Sequence, residues 1–119
     1  MKEVMVNLRA WAIPEGGHRI GTYTDDRNRL RIVSIEEEEL RGLDKIEKLE
    51  TVFYYGQNDV QPTSGLRSVS SGDIILWQDS SSPKEYWKVT SEGFKQLTEE
   101  EYNKDVSKPY DPFEWVKSD

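Results

Sequence analysis

The stretch "GDIILWQDSSSPKEYWKVTSEGFKQL", residues 72–97, leaves the chain few choices of fold. Four consecutive apolar residues, Ile74 to Trp77, follow a Gly-Asp turn, which is the signature of a short buried strand. The polar run "QDSSSPK" then turns the chain. "EYWKVTS", residues 85–91, alternates Tyr86, Lys88 and Thr90 with Trp87 and Val89. Period two with aromatic and β-branched residues marks a strand. Glu92-Gly93 turns again, and "FKQL" supplies a third strand. The expectation is a three-stranded antiparallel meander, because the turns are too short for parallel crossovers.

Upstream, "VMVNLRAWAI", Val4 to Ile13, also alternates, with Val4, Val6, Leu8, Ala10 and Ala12 on one apolar face. Pro14 and "EGG" end it, and "HRIGTYT", His18 to Thr24, is expected to pair with it as a hairpin. After the turn "DDRN", the stretch Arg29 to Ile35 forms a third strand, with Leu30 and Ile32 opposite Arg29, Arg31 and Val33. Ser34 and Glu37 have the spacing of a capping box that opens a helix. Gly42 ends this first piece. Leu43, Ile46, Leu49, Val52 and Phe53 then form a helical stripe, read as core packing. Thr98 and Glu101 make a second capping box before a short C-terminal helix. The order of elements predicts an α+β fold. Its sheet is small and mostly antiparallel, an N-terminal hairpin plus the meander, with one main amphipathic helix. All 119 residues form one domain, and the Pro/aromatic tail 107–119 is expected to pack on the core.

Composition narrows the function classes. There is no cysteine, so disulfides, thiolate metal sites and cysteine nucleophiles are excluded. No apolar run approaches a membrane span, and "MKEVMVNLRAW" lacks a signal-peptide pattern, so the expectation is a soluble, cytoplasmic protein. The net charge is −7. Residues 1–34 are mildly basic, and the acid concentrates beyond residue 35. Duplex nucleic-acid binding is disfavoured, since phosphate neutralisation supplies most of that affinity.

Catalytic and metal signatures are thin. His18 is the only histidine and follows "EGG" in a turn context, which is poor ground for a triad or zinc site. No phosphate-binding glycine motif is present. The expectation is no enzyme activity, no cofactor and no metal. Three surfaces remain. Glu36, Glu37, Glu38 and Glu39 are a concentrated acidic run, and with Arg67, Trp77 and Trp115 they are the candidate contacts for a protein partner bearing a basic surface. Tyr23, Arg27, Arg29 and Arg31 form a basic-aromatic set that suits single-stranded nucleic acid. Asp59 and Asp73 flank the irregular connection 60–73, and with Arg67 they are the candidates for a small-ligand or enzyme site. Exposed strand edges also make a homodimer an option.

The order Arg-Ser-Val-Ser, Gly-Asp-Ile-Ile, then Tyr-Trp-Lys-Val and Gly-Phe-Lys-Gln-Leu resembles small YodL-like domains of Firmicutes, phages and mobile elements. The resemblance covers residues 43–97, including a preceding helix that ends near "VFYYGQND". Ser71 departs from the pattern, which carries a hydrophobic residue there. The resemblance implies a phage or mobile-element origin and carries over no catalytic residue. The expected function is therefore that of a small acidic, non-enzymatic binding module that blocks a host protein, such as a defence or nucleic-acid-processing factor.

Overall fold

The computed structural model describes residues 1–9, 29–63, 65–80 and 82–107. Five strands, β1 (Lys2–Leu8), β2 (Arg29–Ile35), β3 (Ile74–Trp77), β4 (Glu85–Thr90) and β5 (Gly93–Leu97), form one open antiparallel sheet ordered β2-β1-β3-β4-β5. Three helices accompany it: α1 (Glu37–Leu40), α2 (Lys45–Tyr55) and α3 (Glu99–Val106). The fold is α+β, as the order of elements implied.

The meander forms as expected, with Ile75 opposite Trp87 and Val89 opposite Phe94. The meander continues through β1 into β2. β1 is flanked by β2 on one side, with Met5 opposite Ile32, and by β3 on the other, with Val6 opposite Ile75. The expected pairing partner at 18–24 lies outside the described residues, as do positions 10–13 of the first strand.

One face of the sheet is covered by α2, and the other is covered over the meander by α3. On one, Val4, Val6 and Leu8 of β1, Val33 and Ile35 of β2, Ile75 and Trp77 of β3 and Val89 of β4 meet Leu49 and Val52 of α2, with Leu40 and Val69 completing the cluster. Burial of this apolar area is the main stabilising contribution. On the other, Ile74, Leu76 and Leu97 pack against Tyr86, Tyr102 and Val106. The stripe on α2 is narrower than its spacing suggested: Leu49 and Val52 are buried, whereas Ile46 is 42% exposed.

Helix starts follow local chemistry. Thr98 accepts from the Glu101 amide and Glu101 reaches back to the Thr98 amide, the capping box anticipated at that position. α2 opens on an unanticipated box between Asp44 and Glu47. The expected box at Ser34 does not form. Ser34 lies in β2, and α1 begins after Glu36 without a side-chain cap. Its backbone is engaged elsewhere: the Ser34 amide donates to Gln61 Oε1 and Gln61 Nε2 donates to the Ser34 carbonyl, both at 2.9 Å. The Gln61 amide thus stands in for a neighbouring strand at this sheet edge, which blunts the edge against pairing.

At the end of α2, Gly56 lets the chain close on itself. A Cβ there would come within 2.5 Å of Val69 Cγ2, and the Val69 amide donates to the Gly56 carbonyl at 3.0 Å. Gly72 has φ +94°, a conformation that strains other residues. It sets the turn that leads into Asp73 and β3.

Candidate functional site

The connection between α2 and β3 is a hydrogen-bonded body built around the buried Arg31 and the part-buried Arg67. Arg67 and Asp73 meet in a two-pronged ion pair, with Arg67 Nη1 donating to Asp73 Oδ2 and Nη2 to Oδ1, each at 2.7 Å. The same pair seizes the end of β1. The Arg9 amide donates to Asp73 Oδ1 at 2.9 Å, and Arg67 Nη2 donates to the Arg9 carbonyl at 2.8 Å. The Ser70 amide adds a further donor to Asp73 at 2.8 Å. Burial pushes the Asp73 carboxyl upward from its ordinary value, while Arg67 and the Ser70 and Arg9 amides pull it down. An arginine fork suits this bidentate geometry as a lysine would not.

Arg31 is buried completely, on the α2 side of the sheet. Its Nη1 donates to Asn58 Oδ1 at 2.7 Å and to the Arg67 carbonyl at 2.9 Å, and its Nη2 to the Gln61 carbonyl at 2.5 Å. Two of these acceptors, Asn58 and Gln61, follow closely on the C-terminus of α2, the negative end of the helix dipole, which favours a cation. Desolvation lowers its pKa, yet a guanidinium stays charged.

This geometry corrects the arginine-bearing strand. Arg31 points inward and cannot meet phosphate, while Leu30 and Ile32 stand 54% and 52% exposed on the opposite face. Register decides this: Arg31 lies opposite Val6, whose side belongs to the main core. Arg29 donates to the Gly65 carbonyl at 3.3 Å. Tyr23 and Arg27 lie outside the described residues. Asp59 is exposed on the connection and takes no part in the Arg67–Asp73 network, so the structure does not bring that trio together. Trp77 is 1% exposed and belongs to the core, so its ring offers no surface to a partner. Trp115 lies outside the described residues.

The acidic run lies at the surface, and one of its members borders a groove. Glu36, Glu37, Glu38 and Glu39 are all exposed. Glu39 borders an open groove of about 520 Å³, lined also by Leu43, Glu47, Glu50, Thr51, Tyr54 and Tyr55. Tyr54 is 57% exposed, with its ring edge-on to Tyr55 at 5.1 Å. The Tyr55 hydroxyl donates to Glu39 Oε1 at 2.5 Å, and this bond raises the Tyr55 pKa, with smaller contributions from burial and nearby charges. Glu36, Glu37, Glu38 and Glu50 form no ion pair among the described residues. Like charges set this close repel one another, and the first turn of α1 and the Tyr55 hydroxyl on Glu39 offset only part of that repulsion.

Carboxylates, two aromatic rings and one aliphatic side chain line the groove together. Such a surface suits lysine and arginine side chains, which pair by charge and lay their stems on aromatic rings. The sequence pattern did not single out Tyr54 and Tyr55. A signal was present: Tyr54 falls off the apolar stripe of its helix, and a large aromatic there has no core to fill.

No helix among the described residues is long and apolar enough to cross a membrane. No family model matches the chain, and searches of curated proteins and of solved structures returned no match either.

Proposed function

We propose that this chain is a small, non-enzymatic binding module whose α1–α2 face receives a basic segment of a partner protein. One observation carries the reading: the carboxylates of Glu39, Glu47 and Glu50 and an exposed tyrosine line one open groove. Unpaired acid on a short helix costs stability in the free protein and is offset when a cationic surface docks. The partner's lysines or arginines meet Glu36 to Glu39 and Glu50, and an apolar stem or ring settles on Leu43 and Tyr54. Within this proposal the origin is a phage or mobile element, and the action is to block a host factor. Only the resemblance over residues 43–97 supports that further step.

The test is affinity capture at low salt from the host lysate, followed by mapping the captured partner's footprint through hydrogen exchange. Protection on α1 and α2, lost on adding salt and in Glu37→Lys/Glu50→Lys, is the expected result, since exposed charge pairs are screened. A footprint centred on the β2 or β5 edge, or no enrichment at low salt, overturns the reading.

A further inference from the structure

At the opposite charge extreme, three lysines gather over one tryptophan. The Nζ atoms of Lys2, Lys45 and Lys48 lie 4.7, 5.7 and 5.9 Å from the centre of the Trp77 ring. The convergence is fixed by the fold. Lys2 opens β1, Lys45 and Lys48 lie in the first turn of α2, and Trp77 closes β3 on the side facing that helix. Three ammonium groups around one ring repel one another, so counter-charge is needed. Lys45 bonds Glu85 Oε1 at 2.7 Å. Lys2 bonds the Gln78 carbonyl at 2.7 Å and reaches Asp79 only at 3.8 Å. Lys48 has no carboxylate partner among the described residues.

A second shortfall sits on the same ring. Trp77 Nε1 is buried and has no acceptor, whereas the nearby Trp87 Nε1 donates to Glu85 Oε1 at 2.8 Å. Buried donors are nearly always satisfied, and an exception calls for a cause. This corner of an otherwise acidic chain therefore lacks one negative charge and one hydrogen-bond acceptor.

We propose that this corner binds a phosphate-type oxyanion. The donors number four: three ammonium groups, each with three N–H bonds to share, and one indole N–H. That count matches the four oxygens of phosphate better than the two of a carboxylate. The anion enters by displacing the lysine stems, which form a partly exposed cover, with the Lys2 and Lys45 side chains 23% and 28% accessible. The site is independent of the acidic groove.

Inorganic phosphate titrated against ¹⁵N-labelled protein tests the proposal, with chloride and acetate arms at matched ionic strength and the indole signals assigned through Trp77→Phe. The expected result is a saturable shift of the Trp77 indole N–H that chloride and acetate do not reproduce. Lys48→Gln weakens it by about tenfold, the loss of one charge-assisted hydrogen bond, while Glu92→Gln, exposed in the turn between β4 and β5, leaves it unchanged. A shift that fails to saturate, that acetate matches, or that persists in a folded Lys48→Gln overturns the proposal.

Discussion

The two faces of the sheet are held by different physics. Under α2, twelve buried residues from six elements and the α2–β3 connection interlock, with Leu49 and Val52 inserted between four strands. Under α3 the buried cluster is three residues, Ile74, Leu76 and Leu97. There the helix is held largely by polar and aromatic clasps. Tyr102 stacks on Tyr86 at 4.4 Å, and its hydroxyl accepts from Asn7 Nδ2 at 3.1 Å. Asp105 accepts from Arg9 Nε at 2.9 Å and Lys88 Nζ at 2.8 Å, and its carbonyl accepts from Arg9 Nη2. One face is a core in the ordinary sense, and the other is a docked helix. Dense apolar contact resists local opening, whereas a short helix on a few clasps sits at the low-stability end of a structure.

The largest break in this contrast is expected where the two faces share an anchor. Arg9 is tied to Asp73 and Arg67 by its backbone and to Asp105 by its side chain. Arg67→Met leaves Asp73 buried without its counter-ion, at a cost of about 3–5 kcal/mol. Urea unfolding measures this, and a loss below about 1 kcal/mol would contradict the anchor. Next comes the paired truncation of Leu49 and Leu97. Leu49→Ala is expected to cost about 3–4 kcal/mol and Leu97→Ala about 2, because the thinner cluster collapses more easily around the lost atoms. Equal losses would erase the distinction between the faces.

The smallest effect sharpens the comparison through pH. Burial alone would raise the Asp105 carboxyl, but hydrogen bonds from Lys88 and Arg9 outweigh it, and the net shift is downward. A carboxyl lowered in the folded state contributes stability above its unfolded value, near pH 4, and that contribution is lost as pH falls through the lowered value. Acid therefore loosens α3. Asp105→Asn is expected to cost about 1–2 kcal/mol at neutral pH and to flatten the acid limb of stability. Amide exchange should quicken in α3 while α2 amides keep their protection. Equal quickening in both helices would mean that α3 opens only with the whole domain.

Much of the fold was legible because its signals are local. The meander at 74–97 announces itself through turn residues and alternation, and the Thr98–Glu101 box through a four-residue spacing. The acidic face was legible only as charge, since the groove forms where α1, the Leu43 turn and the end of α2 converge. Tyr55 and Glu39, sixteen positions apart, become neighbours there. Arg67 and Asp73 were each visible as candidates for chemistry. Their pairing with each other, and with the backbone of Arg9, was not, because an ion pair depends on how the connection folds.

By itself the sequence determined which residues share a face of each strand, where helices begin at Thr98 and after Gly42, and that no thiol chemistry is possible. Only the tertiary structure decided which face goes inside. In β2, hydrophobicity favours burying Leu30 and Ile32, yet register with β1 puts Val33, Ile35 and Arg31 against the core instead. The physical reason is that alternation fixes parity and not direction. Direction follows from where the main core lies and from whether a buried guanidinium finds acceptors, which Asn58, Gln61 and Arg67 supply from a distant turn.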